Sequence, residues 1–272
     1  MVRRSALLLV AFAALVIVPA ALGAFPAPYA VQGGDGVLSS DGSMRFIALK
    51  AGANTLVKAV ATETGSTVRQ QTVPGAFGVP VLTQSGFAGG LFHDGSALVL
   101  QNVGVERTSR FVVLDSKTLA TRDTIALKGT FGFDALSPDG SRLYLIQHTS
   151  TDDIEHYVVR AYDLATHTLL PGRIADKTQK SWVMQGWAVS RATTADGRWD
   201  YTLYANPGGY PFIHALDTVR GVAHCIGLPW TATQDPVYSF TLALKGTSLA
   251  VKWQDGRTWR RVDTRSWRIT KP

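Results

Sequence analysis

Five times along this chain an apolar run meets a tight turn centred on glycine and leaves it as an alternating strand. The turn glycines are Gly42, Gly95, Gly140, Gly197 and Gly246, at intervals of 53, 45, 57 and 49 residues. A period of this size holds one four-stranded unit and is too long for the roughly 20–35 residues of leucine-rich or ankyrin units. The repeat therefore predicts an all-β fold, a single β-propeller most simply built from five four-stranded blades. It fixes an architecture while leaving the chemistry open, because such scaffolds carry enzymes, receptors and assembly platforms alike.

The third copy is the clearest. Phe133-Asp134-Ala135-Leu136 runs into Ser137-Pro138-Asp139-Gly140, leaves as Ser141-Arg142-Leu143-Tyr144-Leu145-Ile146, and is followed by Tyr157-Val158-Val159-Arg160-Ala161-Tyr162-Asp163. Proline presets one turn dihedral, aspartate accepts a local backbone hydrogen bond, and glycine supplies the positive φ that other residues resist. A second mark supports the register: Asp115, Asp163, Asp217 and Asp263 each end a third strand, while the first copy has Ala61 there. One residue copied into nearly every unit serves the unit, so these aspartates read as Asx-turn caps and not as catalysts. The connection from Pro74 to Phe87 holds one further strand, Gly78-Val79-Pro80-Val81-Leu82, and leaves room for a degenerate sixth unit. Tyr29-Ala30-Val31-Gln32 is expected to close the ring by pairing with the last blade near Trp267-Arg268-Ile269-Thr270, since closure removes exposed sheet edges.

The string Ser137-Pro138-Asp139-Gly140-Ser141-Arg142-Leu143-Tyr144-Leu145, followed by Arg160-Ala161-Tyr162-Asp163-Leu164-Ala165-Thr166, resembles the repeat of bacterial YVTN-type and WD40-like surface or periplasmic propellers. The likeness covers nearly the whole chain after the first 24 residues. It implies four-stranded blades around a central channel, used outside the cytoplasm for protein or ligand binding, and it implies no single activity. The Ser-Pro pair occurs in blade three alone, and the Gly-His mark of true WD40 repeats is missing.

The chain opens with Met1-Val2-Arg3-Arg4-Ser5 and then runs from Ala6 to Ala24 without a charge. Ala21 and Gly23 suit the small-residue positions of a signal peptidase site. The alternative is an uncleaved anchor, because the run approaches the ~20 apolar residues that span a bilayer. Residues 1–24 are thus a signal peptide or anchor, residues 25–272 the propeller, and the two arginines place the body extracytoplasmically: secreted, periplasmic or on the cell surface. A single cysteine, Cys225, rules out an intrachain disulfide, so stability must come from packing. The formal charge of +7 falls to +5 without Arg3 and Arg4, and its excess lies at the end of the chain. There Arg257, Arg260, Arg261 and Arg265 interleave with Trp253, Trp259 and Trp267. These arginines are candidates for binding an anionic envelope surface. The competing reading is a blade with tryptophan inward and solvated arginine outward.

Propeller ligands sit at the channel mouth, on innermost strands and their loops. Asp134 is the carboxylate those strands offer, with Asp35 and Asp235 as possible partners for the paired-carboxylate chemistry of a glycosidase. Trp182, Trp187 and Arg191 enter blade four as an aromatic stretch suited to stacking a sugar or peptide. His148 begins a polar insertion that runs to His156. The six histidines, His93, His148, His156, His167, His214 and His224, show no metal-ligand spacing, and neither a nucleophile elbow nor a phosphate loop is present. The sequence accordingly predicts no cofactor, no metal and no nucleic-acid partner. It points to a monomer, non-enzymatic, that binds a protein, ligand or envelope polymer; the alternative is a carbohydrate-acting hydrolase or lyase with a site at the channel mouth.

Overall fold

The computed structural model describes residues 29–150, 155–178, 183–206, 209–230 and 237–272. Residues 1–24, read from the sequence as a signal peptide or anchor, lie outside them, as do Trp182 and Asp235. Among the described residues there is no α-helix, and no helix is long and apolar enough to cross a membrane.

Five antiparallel sheets follow one another along the chain, each with four strands in sequence order. The first comprises Val37–Leu38, Met44–Ala51, Asn54–Ala61 and Thr67–Val73. The second comprises Phe77–Val81, Ala97–Asn102, Thr108–Asp115 and Thr121–Lys128. The third is built from Phe131–Leu136, Arg142–His148, His156–Asp163 and Thr168–Leu169, and the fourth from Trp187–Thr193, Trp199–Ala205, Phe212–Asp217 and Val222–Gly227. Thr241–Lys245, Ser248–Lys252, Thr258–Asp263 and Ile269–Thr270 make the fifth. Met184–Gln185 adds a short extra strand beside the third strand of sheet three.

Burial explains the strand compositions. Ala97–Asn102 is buried along its whole length because neighbouring sheets cover both faces, and its first four residues are all apolar. Thr67–Val73, an outermost strand, is exposed at most positions and reads as polar. Separate apolar clusters join sheets one and two around Phe46 and Leu100, two and three around Phe111 and Phe133, three and four around Tyr157 and Tyr204, and four and five around Tyr201 and Trp259. No such cluster joins sheets five and one among the described residues.

The five turn glycines all carry φ between 58° and 70°, in the left-handed region that glycine tolerates without a Cβ penalty. Their aspartates work as expected: Asp41, Asp94, Asp139 and Asp196 accept the N–H two residues on, at 2.8–3.1 Å. At the other turn of each sheet, Asp115, Asp163, Asp217 and Asp263 each accept two backbone N–H groups on one carboxylate oxygen. The sequence pattern hid a further regularity. Four residues after each strand-ending position the chain turns left-handed, at Gly65, Leu119, His167, Gly221 and Trp267. The one sheet whose strand ends in Ala61 instead of Asp places a strain-free glycine there, at Gly65. The residue after the strand end then ties the two turns together: the N–H of Thr62, Ser116, Leu164, Thr218 and Thr264 donates across to Ser43, Ser96, Ser141, Arg198 and Thr247 at 2.8–3.0 Å.

Two expectations are corrected. Tyr29–Val31 pairs with Phe77–Val81 in the second sheet, not with the last. The reason is an edge: Phe77–Val81 meets the next strand, Ala97–Asn102, only at Phe77 and Gly78, and the rest of its length is left open. Gly78 permits the approach, since a Cβ there would lie 2.6 Å from the Val31 backbone. The same pairing absorbs the strand from the Pro74–Phe87 connection into sheet two, so the described residues contain no sixth sheet.

Candidate functional site

Counting six residues back from each turn glycine gives Gly36, Gly89, Asp134, Arg191 and Phe240. On sheets three and four that position carries opposite charges, and the fold brings them together. The Arg191 guanidinium donates to the Asp134 carbonyl at 2.6 Å and to the Asp134 carboxylate, while its Nε donates to Thr202 Oγ1 at 2.8 Å. Asp200 lies 4.0 Å from the same guanidinium and accepts from Thr193 Oγ1 at 2.5 Å. The Arg191 and Asp134 side chains are each 4% exposed and that of Asp200 is 9% exposed.

Electrostatics lock this cluster. Burial alone would push the Arg191 pKa down, but the two carboxylates outweigh it and hold it above the ordinary arginine value. Burial raises the Asp200 pKa, with Arg191 and the Thr193 hydroxyl pulling partly back. A buried ion pair of this kind is stable only because each partner satisfies the other.

The cluster forms one side of a cavity of about 250 Å³. Leu38 and Ser40 of sheet one line it, as do Phe87 to His93 of the second sheet and Phe133 to Leu136 of the third. Arg191, Thr193, Gly197 and Asp200 complete it from sheet four, and sheet five contributes nothing. One wall is held by the loop after Phe77–Val81, where the N–H groups of Gln84 and Ser85 donate to Ala188 and Val189 on the innermost strand of sheet four. Phe92 and His93 reach the turns of sheets three and four; a Cβ on Gly140 would lie 2.7 Å from the Phe92 ring and one on Gly197 2.9 Å from His93.

Of the described residues singled out from sequence, the structure joins Asp134 and Arg191 and separates the rest. Trp187 is half-buried and packs into the core between sheets four and five, away from the cavity. His148 ends a strand of sheet three, edge-on to Tyr157 with ring centroids 6.3 Å apart. The second carboxylate is Asp200, not Asp35. The chain itself holds the signal that would have found it. Three residues after the turn glycine, sheets two, three and five place Leu98, Leu143 and Leu249, and only sheet four places an acid.

A second buried polar group lies behind the cluster. His214 is 2% exposed, and burial pushes its pKa down to about 4. Its Nδ1 faces Cys225 Sγ at 3.6 Å, and burial pushes that thiol up to about 12. Both are therefore neutral near pH 7, the opposite of a thiolate–imidazolium pair. Asp176 accepts from the Cys225 N–H at 2.8 Å and meets His224 at 2.9 Å, but no metal-binding group of three forms among the described residues.

The succession of five four-stranded antiparallel sheets, four of them reaching one cavity, makes this an all-β protein of repeated sheets, an arrangement that the blades of a propeller fit. Solved structures of similar fold include TolB from Acinetobacter baumannii, at 14% identity and a TM-score of 0.46, covering 82% of this chain and 52% of that one. The β-propeller domain of Myceliophteria thermophila Cps50 (Swd1) is 9% identical, with a TM-score of 0.49 over 85% of this chain and 67% of that one. A putative TolB from Agrobacterium tumefaciens is 13% identical, with a TM-score of 0.46 over 89% and 80%. The chain thus spans about half the length of the Acinetobacter protein, and the likeness is one of fold alone. No protein-family model matches the chain, and no curated protein matches its sequence.

Proposed function

We propose that this chain is a non-enzymatic binding protein whose five sheets are the blades of one propeller, exported by its first 24 residues, and that a protein partner inserts an apolar side chain at the channel mouth. One observation carries the reading. The charged groups of the mouth are spent on one another, while two large apolar side chains on its rim, Leu38 and Phe87, are 44% and 37% exposed. At about 250 Å³ the cavity is smaller than the roughly 300–1,000 Å³ of sites that enclose a whole small molecule. It fits a single anchoring side chain, the kind of contact on which protein interfaces concentrate their energy.

The competing enzyme reading draws on Asp134 and Asp200, two carboxylates at one mouth, one with a raised pKa. Against it stand their burial and their engagement with Arg191, which leave neither oxygen pair free to move a proton to a substrate. Partner capture from an envelope extract tests both. The parent protein should retain a defined partner that the L38D/F87D variant, folded by circular dichroism, does not. Retention by both, or hydrolysis of a glycoside lost in D200N, overturns the proposal.

A further inference from the structure

The chain's net charge is not spread over its surface. Residues 241–272 carry eight basic and two acidic side chains, a net +6 out of +7 for the whole chain. The structure sorts these cations. Arg257 is paired with Asp255 at 2.6 Å. Arg260, Arg261, Arg265, Arg268 and Lys271 have no carboxylate within ion-pairing distance among the described residues.

Two of the unpaired cations border a groove of about 600 Å³ between the outer ends of sheets four and five. Tyr210, Leu228 and Pro229 line one side, Arg260, Thr270 and Lys271 the other. Arg260 is held in place: its guanidinium lies 4.5 Å over the Trp259 ring, and Nη1 donates to the Trp259 carbonyl at 2.7 Å. A cation fixed in this way loses little conformational entropy when it meets an anion. Tyr210 is 67% exposed, an aromatic ring presented to solvent beside two cations. The groove's volume falls within the roughly 300–1,000 Å³ of small-molecule sites.

We propose that this groove binds an acidic polysaccharide, with Arg260 and Lys271 pairing with carboxylates and Tyr210 stacking on a sugar ring. The apolar floor of Leu228 and Pro229 suits the C–H face of a pyranose, and the Thr270 hydroxyl suits its hydroxyl groups. A membrane would use the charge without the groove; a sugar chain uses both. The site is separate from the channel mouth and does not depend on the reading of that mouth.

Binding of the full chain to polygalacturonate, dextran, polyphosphate and phosphatidylglycerol vesicles tests the proposal. Polygalacturonate should bind at low salt and weaken by about tenfold as the Debye length shrinks from ~14 to ~6 Å. R260A/K271A should weaken it by about tenfold or more, since each cation lost removes a charge-assisted contact, and R257A should leave it unchanged. Y210A should weaken it too, an effect bulk charge attraction does not give. The singly substituted, exposed K271A keeps the test valid if the loss of the Arg260 stack unfolds the sheet. Equal losses in R257A and K271A, equal binding of dextran, or binding of vesicles or polyphosphate but not polygalacturonate would each refute it.

Discussion

Arg191→Met separates the charge of the central cluster from its packing, because methionine fills much of the space of the arginine stem. The change removes the donors to the Asp134 carbonyl, the Asp134 carboxylate and Thr202 Oγ1. Asp134 and Asp200 stay buried with no other cation in ion-pairing distance among the described residues. Breaking a buried pair from one side costs about 3–5 kcal/mol, and three hydrogen bonds at about 1 kcal/mol net each give a similar figure. The pH dependence is distinctive. Asp200 already has a raised pKa in the fold, so its contribution is most favourable below the unfolded value of about 3.9 and is lost as pH rises through the folded one. Without Arg191 that bias strengthens, and the deficit of the variant relative to the parent should be largest near pH 7 and shrink toward pH ~4. Urea unfolding followed by tryptophan fluorescence at both pH values measures it, and other titrating groups cancel because variant and parent are compared at each pH. Adding D134N and D200N should restore much of the loss. A deficit under about 1 kcal/mol at pH 7, or one that does not shrink in acid, would show that the cluster is not the buried, mutually dependent unit described above.

Other outcomes follow from the same structure. Gly42→Ala meets open space and should cost about 1 kcal/mol of left-handed strain, whereas Gly140→Ala also drives its Cβ against Phe92 and should cost roughly 1–3 kcal/mol more; thermal melts of the two variants compare them. His214 favours its neutral form in the fold, with its pKa at about 4, so stability present above pH ~6.5 is lost as pH falls, by up to about 3 kcal/mol. His214→Leu should flatten that part of the pH–stability profile. Cys225, its thiol pushed up to about 12 by burial, should resist a thiol reagent near pH 8 in the native protein and react once urea unfolds it.

The repeat was legible because its parts are local. Gly140 needs a positive φ, and Asp139 and Asp163 need only bond to N–H groups two and three residues away, so short-range chemistry writes them directly into the sequence. Leu119, His167 and Trp267 escaped the same reading because nothing in a leucine, histidine or tryptophan announces a left-handed turn. Tyr29–Val31 was misplaced for a different reason: its alternation suits any open edge, and the edge that was open depended on how far Phe77–Val81 diverged from its neighbour. The mouth was half legible. Asp134 stood out as the carboxylate of the innermost strands and Arg191 as part of the aromatic stretch entering blade four, but nothing in the local sequence marked Asp200 as their partner.

The sequence by itself determined five units, their turns and their order, since each unit is specified by hydrogen bonds and alternation within about fifty residues. It also concentrated the positive charge in the last of them. Only the tertiary structure decided that Asp134, Arg191 and Asp200 share one buried site, and that Arg260 borders a groove formed where sheets four and five meet. Those facts rest on contacts between separate strands or sheets, where Coulomb energy and desolvation depend on distances in space that no local pattern encodes.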